Sequence, residues 1–215
     1  MAKKVGIIGS GDVGKTLAAG FLKHGYEVMV GSRTPEKLSE WAGKSKAKTG
    51  TMEQAAIFGE MVVLAVKGKD AEHALELAGI ENLKGKTVID VTNPIDDTKP
   101  PQNGVLRYFT SLDESLHERL QKKVPGANFV KAFNSIGNAF MVNPDFGGQK
   151  PTMFICGNNE DAKAEVALIV EKFGFEVEDM GKMEAARAIE PLCMLWCIPG
   201  FLRNGWSHAF KLLKK

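Results

Sequence analysis

The chain begins with a short apolar run that leads directly into three closely spaced glycines. Residues 5–8 have the character of a buried strand, and residues 9–14 spell GSGDVG, which has the spacing GxGxxG. A helical pattern follows through Leu17 and Phe21. In this context the first glycine permits a tight turn, the second lets the backbone approach a pyrophosphate, and the third lets helix and strand pack closely. The segment therefore predicts a dinucleotide-binding unit, with the anion held at the start of the helix.

Strand-like and helical patterns alternate along most of the remaining chain. Further strands are predicted at residues 28–30, 61–66, 87–91, 129–133, 153–156 and 175–177, and helices at 51–58, 70–77, 112–121 and 159–173. Such alternation is typical of parallel strands that are covered by helices on both faces. The sequence thus predicts an α/β fold of the doubly wound Rossmann type with a mainly parallel sheet. We expect an NADP-binding Rossmann domain at residues 1–183 and a C-terminal helical extension at residues 184–215.

The same glycine stretch also satisfies the pattern of a triphosphate-binding loop. With Lys15 and Thr16 it reads GxxxxGKT, and Asp90 at the end of an apolar run imitates a magnesium-binding strand. Three features favour the dinucleotide: the additional Gly11, a compact helix, and a second strand that begins right after Gly25. A carboxylate within the loop, Asp12, complements the positive end of the helix dipole in either case.

The end of the second predicted strand carries a cation where many related sites carry an acid. NAD sites place Asp or Glu about 20 residues beyond the glycines, where it binds the ribose hydroxyls. Here the sequence is Gly31, Ser32, Arg33 and Thr34. Arg33 can pair with a phosphate and stack on adenine, and its neighbours supply hydroxyl groups. The alternative is that Arg33 merely begins a surface turn before Pro35. The pattern predicts NADP(H) as cofactor, bound more tightly than NADH.

A long segment rich in proline and polar residues follows the strand that ends near Val91. Residues 93–110 include Pro94, Pro100 and Pro101. A loop of this length within a compact domain is either a disordered insertion or a functional lid. Both interpretations stay open, and the position just after a strand end is where ligands bind in open α/β sheets.

Composition restricts the partners and the compartment. A formal net charge of +2 provides no broad basic surface for nucleic acid. Three cysteines without disulfide-like spacing indicate a reducing compartment. The most apolar segment, residues 192–202, is about half as long as a membrane span, and no signal-peptide pattern precedes the first strand. We expect a cytoplasmic protein with no nucleic-acid partner and no membrane span. The histidines are scattered, so no metal site is expected.

The C-terminal segment is too apolar for an exposed helix. It contains Leu192, Leu195, Trp196, Phe201 and Leu202 within a short stretch. The core, another subunit or the electron acceptor must cover these side chains. We favour a partner subunit together with an acceptor pocket, which makes a homodimer the expected assembly, and simple core packing stays open.

Five motifs together resemble a known family. They are VGIIGSGDVGKTLA at residues 5–18, VMVGSR at 28–33, DVTNP at 90–94, VKAFN at 130–134 and FICGNNEDAK at 154–163. With them the chain resembles, nearly end to end, the deazaflavin-dependent NADP oxidoreductases and the oxidoreductase domain of the STEAP metalloreductases. It is also similar to bacterial proteins known only to bind NADPH.

The resemblance implies a cofactor lying along the ends of the strands. Together with the glycine loop and the second strand, it implies these cofactor-binding residues: Gly9, Ser10, Gly11, Asp12, Val13, Ser32, Arg33, Thr34, Ala65, Val66, Lys67, Asn93, Pro94, Ala132, Phe133 and Asn134. The alternatives are a simple turn at Asn93 and Pro94 and core packing for Phe133.

Members of this family reduce a deazaflavin or a flavin. Hydride transfer between two flat rings needs alignment more than an acid or base, so no catalytic residue is assigned. The resemblance implies an NADP(H)-dependent oxidoreductase with the 8-hydroxy-5-deazaflavin coenzyme, FAD or FMN as acceptor. The segments 67–69 and 95–110 depart from the family pattern, which leaves the acceptor open. The alternatives are a non-catalytic NADPH-binding redox sensor and a reductase of a small carbonyl or imine. The last would use Lys67 or Lys131 as proton donor.

Overall fold

A computed structural model describes residues 2–215 as an α/β fold built on one eight-stranded sheet. The strands are β1 (Lys4–Ile8), β2 (Glu27–Gly31), β3 (Lys48–Gly50), β4 (Met61–Leu64), β5 (Thr87–Asp90), β6 (Asn128–Lys131), β7 (Thr152–Gly157) and β8 (Glu176–Asp179). The α-helices are α1 (Asp12–Lys23), α2 (Ser39–Ser45), α3 (Met52–Phe58), α4 (Ala71–Ala78), α5 (Leu116–Lys123), α6 (Glu160–Lys172) and α7 (Ala186–Arg203).

The strand order is β3-β2-β1-β4-β5-β6-β7-β8. Neighbouring strands are parallel from β3 to β6, and the pair β6 and β7 is antiparallel. The carboxyl ends of the first six strands therefore lie along one edge of the sheet. The chain reverses its direction of winding at β1, which is where open α/β sheets bind their ligands. The doubly wound, mainly parallel fold predicted from the sequence is confirmed.

Both faces of the sheet are buried by helices. Successive strand residues point to opposite faces, so Ile7 belongs to the apolar cluster that contains Phe21 of α1, and Ile8 belongs to a second cluster that contains Leu75 of α4. The four side chains of β4 are all buried. Burial on both faces explains why the central strands are continuous apolar runs rather than alternating ones.

Three local features differ from the sequence prediction. The short edge strand β3 and helix α2 were not predicted, because residues 34–50 are largely polar and their periodicity is short. Helix α5 begins at Leu116 rather than at residue 112, because Ser115 and Glu118 form a capping box that fixes the first turn. Strand β6 ends at Lys131, since Phe133 takes a left-handed backbone conformation with φ 59°.

The C-terminal extension is helical only as far as Arg203. The final residues run back along the sheet, where Thr152 N donates to Phe210 O at 2.9 Å and Leu212 N donates to Thr152 Oγ1 at 3.0 Å. The 21 residues Met183–Arg203 have the length and mean hydropathy (1.3) of a membrane-crossing helix, with 33% of the apolar window buried. One such helix is weak evidence for a span, because core helices of soluble proteins meet the same test. The division of the chain into a domain at residues 1–183 and an extension at residues 184–215 stays a prediction.

Candidate active site

A cleft of about 580 Å³ opens at the carboxyl edge of the sheet. Its walls come from the turn after β1, the end of β2, the end of β4 and helix α4. The sequence-predicted residues that line it are Gly9, Ser10, Gly11, Ser32, Arg33, Thr34, Ala65, Val66 and Lys67. Residues that had been assigned from separate motifs thus meet in one cavity.

The three glycines of the loop are required for different reasons. Gly9 has φ +124°, and a Cβ there would lie 2.1 Å from the Ala65 carbonyl oxygen. A Cβ on Gly14 would lie 2.2 Å from the Gly9 carbonyl oxygen. A Cβ on Gly11, by contrast, would meet no atom of residues 2–215 within 4 Å, and Gly11 lines the cleft. The protein's own packing therefore requires the first and third glycines, whereas the second leaves open space for a ligand to approach the backbone.

Helix α1 directs its amino end toward this loop. The helix begins at Asp12 with Gly11 as its N-cap, and Lys15 N donates to Gly11 O at 3.0 Å. The amides of the first turn have no partner within the helix and can bind an anion. Asp12 is exposed and Val13 packs partly against the core. Neither side chain lines the cleft, so their predicted contribution is limited to backbone groups.

The end of β2 places a cation beside the glycine loop. Ser10 Oγ donates to Ser32 Oγ at 3.1 Å, and Thr34 N donates to the same Ser32 oxygen at 3.1 Å. Ser32 is 7% exposed. Its buried hydroxyl therefore links the glycine loop to the loop that follows β2. Arg33 is exposed, lines the cleft and forms no ion pair within the described residues. Its guanidinium is therefore available to an anionic ligand.

The opposite wall contains residues that the sequence analysis missed. These are Met52 at the start of α3, and Lys69, Asp70, His73, Ala74 and Leu77 in or before α4. Two signals could have found them. The Thr51 to Gln54 capping box places Met52 in a first helical turn beside β2. His73 and Leu77 have the (i, i+4) spacing that puts side chains on one helix face, just after β4.

The remaining predicted residues lie at the ends of β5 and β6. Asn93 Nδ2 donates to the Asn134 carbonyl oxygen at 2.8 Å, and Asn134 Nδ2 donates to Asn93 Oδ1 at 3.2 Å. Pro94 and Ala132 are buried beside them. Phe133 is 1% exposed, and its ring packs against Phe173 and Phe175, which favours a role in the core for its side chain.

A cluster of ionisable groups is buried close to these strand ends. Lys131 Nζ lies 3.1 Å from Asp90 Oδ2 and 3.2 Å from Glu190 Oε1. His117 Nδ1 donates to the Asp90 carboxylate at 2.9 Å. The Glu190 carboxylate accepts hydrogen bonds from the backbone N–H groups of Leu116 (3.0 Å) and His117 (2.9 Å), and so caps the amino end of α5. All four side chains are at most 2% exposed.

Neighbouring charges set the ionisation of this cluster. Burial opposes the charge on Asp90, yet the Lys131 ammonium and the hydrogen bond from His117 hold the pKa of Asp90 below its ordinary value. Burial likewise opposes the charge on Lys131, but the carboxylates of Asp90 and Glu190 raise its pKa. The Asp90 carboxylate is occupied by these partners and is closed to a magnesium ion. Lys131 is held as a buried cation, which argues against its use as a proton donor to a substrate.

The long segment after β5 is folded against both the cleft and α7. Asp97 pairs with Lys67 at 3.0 Å and with Lys69 at 2.7 Å, both on the cleft wall. The two lysines lower the pKa of Asp97 to about 2, Lys69 contributing most. Tyr108 Oη donates to the Glu190 carbonyl oxygen at 2.7 Å. The segment thus bridges the cleft rim and the C-terminal helix, and its use as a lid stays a prediction.

Comparison with known proteins identifies the family. The profile described as "NADP oxidoreductase coenzyme F420-dependent" matches residues 4–94. The chain is 31% identical over 217 residues to an F420-dependent NADP reductase of Methanothermobacter marburgensis, covering 94% of this chain and 95% of that protein. The chain belongs to the F420-dependent NADP oxidoreductase family. The resemblance inferred from the motifs is confirmed, and the family consists of NADP-dependent oxidoreductases.

Two further proteins are similar to this chain over nearly its whole length. Metalloreductase STEAP3 of Rattus norvegicus is 32% identical over 214 residues; the match covers 97% of this chain but only 41% of that protein. The chain therefore spans about two fifths of this longer relative. A solved structure described as a putative F420-dependent NADP-reductase from Arthrobacter sp. FB24 covers both chains completely, with 31% identity and a TM-score of 0.92.

Proposed function

We propose that this protein binds NADP(H) across the carboxyl ends of its parallel strands and transfers a hydride between the nicotinamide and a deazaflavin or flavin. The observation that carries the proposal is the cleft itself. It joins a glycine with free space above its backbone, the amino end of a helix, and an arginine that forms no ion pair among residues 2–215. These groups match a diphosphate and the additional phosphate of an NADP adenosine.

Each part of the cleft has a separate task in this proposal. The loop at Gly9 and Gly11 and the first amides of α1 hold the pyrophosphate. Arg33, with the hydroxyls of Ser32 and Thr34, binds the adenosine phosphate. Val66 and the segment after β5 border the nicotinamide half. When bound, NADPH supplies the hydride, and the acceptor takes up a proton from solvent to complete the reduction.

The acceptor class rests on the family relationship and on the chemistry of the site. The relative from Methanothermobacter marburgensis is named for coenzyme F420. Hydride transfer between stacked rings depends on alignment and exclusion of water, and it needs no dedicated acid or base. The lysines considered as donors for a carbonyl or imine substrate are engaged otherwise: Lys131 is buried among carboxylates, and Lys67 pairs with Asp97.

Calorimetry tests the cofactor assignment. We expect NADPH to bind about 10- to 100-fold more tightly than NADH, since a charge-assisted hydrogen bond contributes about 1.5–3 kcal/mol. Arg33→Ala should abolish most of this preference, and Arg203→Ala, an exposed arginine at the end of α7, should preserve it. A chain that ignores NADPH and binds magnesium-ATP would overturn the proposal.

A panel of acceptors tests the reaction. NADPH is mixed with the 8-hydroxy-5-deazaflavin coenzyme, FMN, FAD and a small cyclic imine, and the loss of NADPH absorbance is followed. Turnover with a deazaflavin or flavin supports the proposal. Turnover with the imine alone would refute the acceptor class, and tight NADPH binding without any turnover would favour the redox sensor.

We also propose a homodimer and a cytoplasmic location. Leu195, Phe201 and Leu202 of α7 are 54, 46 and 58% exposed, which leaves an apolar face for another surface to cover. Light scattering on the purified protein tests the assembly, and a monomer at micromolar concentration would contradict it.

A further inference from the structure

Two lysines on the wall of the cleft converge on a single carboxylate. Lys67 and Lys69 both line the cleft, in the turn between β4 and α4. Lys67 Nζ donates to Asp97 Oδ2 at 3.0 Å, and Lys69 Nζ donates to Asp97 Oδ1 at 2.7 Å. Asp97 itself lies outside the lining of the cleft and belongs to the segment after β5. Each oxygen of its carboxylate thus holds one ammonium group of the cleft wall.

This arrangement has the chemistry of an anion site that the chain fills with a group of its own. Two ammonium groups held side by side repel each other unless an anion lies between them. Lysine binds phosphate as a point charge, and a phosphate presents two oxygens on one central atom much as a carboxylate does. A phosphate monoester carries about two negative charges at neutral pH, whereas the carboxylate carries a single one. The lysine pair therefore suits a phosphate monoester better than it suits Asp97.

The contact between Asp97 and the lysines is exchanged easily. The side chains of Lys67, Lys69 and Asp97 are 71, 48 and 33% exposed, so water screens both ion pairs and can replace either partner. The two lysines nevertheless lower the pKa of Asp97 to about 2, Lys69 contributing most. The carboxylate is thus charged at neutral pH and stays on the lysines until a stronger anion arrives.

The segment that carries Asp97 is anchored by other contacts. Phe109 N donates to Pro94 O at 2.9 Å, which holds the two ends of the segment together. Tyr108 Oη donates to Glu190 O at 2.7 Å, which fixes the segment to α7. Loss of the Asp97 contact therefore frees the lysines and leaves these other contacts in place.

The charges of the cleft favour an anionic ligand on this wall. Three cations line the cleft, Arg33, Lys67 and Lys69, against one acid, Asp70. We propose that Lys67 and Lys69 form a binding site for a phosphate monoester, which Asp97 occupies in the free protein and which a ligand takes over by displacing this carboxylate. The phosphate belongs either to the adenosine of NADP(H), approached from the side opposite Arg33, or to FMN as acceptor. The inference rests on the function proposed above.

Asp97→Asn tests the site through a gain of affinity, because it keeps the shape of the side chain and removes the competing charge. By calorimetry this variant should bind NADP⁺ about 3- to 10-fold more tightly than wild type, with NAD⁺ unchanged, if the dinucleotide supplies the phosphate. If the acceptor supplies it, the same gain should appear for FMN, with riboflavin unchanged. Affinities for NADP⁺ and FMN that both stay at the wild-type value would overturn the inference, as would equal gains for ligands without the monoester.

Two further variants separate displacement of Asp97 from a general effect of charge. Asp96→Asn is the matched control: its carboxylate accepts from Thr98 N at 3.1 Å and Thr98 Oγ1 at 2.6 Å, and it forms no ion pair with either lysine within residues 2–215. It should bind the same ligands as wild type does, and a gain equal to that of Asp97→Asn would refute the site. Adding Lys69→Met to Asp97→Asn should abolish most of the gain, and a gain that persists would refute it too. A wild type that binds no NADP⁺ would refute the proposed function instead, and titration of the free protein with FMN and riboflavin would still test the lysine pair.

Discussion

Replacing Gly11 by alanine separates cofactor binding from folding. Gly11 has φ −74° and ψ −175°, an extended conformation that alanine adopts readily, and its added Cβ would meet no atom of the described chain within 4 Å. The lower entropy of the unfolded chain stabilises such a variant by about 0.4–1 kcal/mol. The poorer N-cap quality of alanine offsets a similar amount. We expect the free energy of unfolding to stay within about 1 kcal/mol of wild type.

Binding should respond very differently. The new methyl group occupies the space in which a pyrophosphate approaches the loop, so at least one charge-assisted hydrogen bond to the α1 amides is lost. At about 1.5–3 kcal/mol for such a bond, NADP⁺ should bind about 10- to 100-fold more weakly. The measurements are urea unfolding monitored by circular dichroism and calorimetric titration with NADP⁺.

Gly14→Ala is the matched control. Its Cβ would lie 2.2 Å from the Gly9 carbonyl oxygen, so the loop and helix must move apart. We expect a loss of stability of roughly 1–3 kcal/mol, as for other overpacked sites. A Gly11→Ala protein that is destabilised as strongly as Gly14→Ala, or that binds NADP⁺ as wild type does, would refute the distinction between the two glycines.

Two further predictions concern charged groups. The guanidinium of Arg187 lowers the pKa of Glu118 to about 2 from an ordinary 4.5, so the stability this carboxylate contributes is present above pH 4.5 and is lost as the pH falls toward 2. The contribution is about 3 kcal/mol at most. Glu118→Gln keeps the capping box, and in urea unfolding its free energy of unfolding should fall less steeply than that of wild type as the pH is lowered. An unchanged decrease would contradict the ion pair between Glu118 and Arg187. Lys131→Met should lower the free energy of unfolding by about 3–5 kcal/mol, because it leaves the buried carboxylates of Asp90 and Glu190 unpaired. Lys67→Met, at an exposed ion pair, should lower it by less than about 1 kcal/mol. Equal losses in thermal unfolding would refute the stabilising role of the buried cluster.

The sequence predicted the part of the cleft at β1 and β2 better than the ends of β5 and β6. The predicted residues of the glycine loop and the end of the second strand lie close together in sequence, and their spacing follows from the geometry of a strand, a turn and a helix. The structure brings most of them to one cleft. Secondary structure was equally accessible where burial produced a continuous apolar run, as in β4, or a long helical pattern, as in α6. It failed at β3 and α2, which are short and polar.

The surroundings of the ends of β5 and β6 depend on contacts between distant segments. Glu190 meets Lys131 and the start of α5 only because α7 folds back over the sheet. In the sequence Lys131 is simply a lysine within an apolar strand, and Glu190 an acid in an apolar helix. A buried ion pair leaves no local signal in the sequence. Burying either charge alone is unfavourable, and only the contact between the two offsets the cost of removing them from water. The hydrogen bond from Tyr108 to the Glu190 carbonyl group is hidden for the same reason, because the two residues are 82 positions apart.

Gly11 differs from the positions of the site that folding alone accounts for. Folding explains the glycine at residue 14 and the charges of the buried cluster, because every one of those groups has a partner within the chain. It does not explain why residue 11 lacks a side chain. The missing side chain leaves open space above the backbone of the loop. This space is what the proposed pyrophosphate needs in order to approach the first amides of α1.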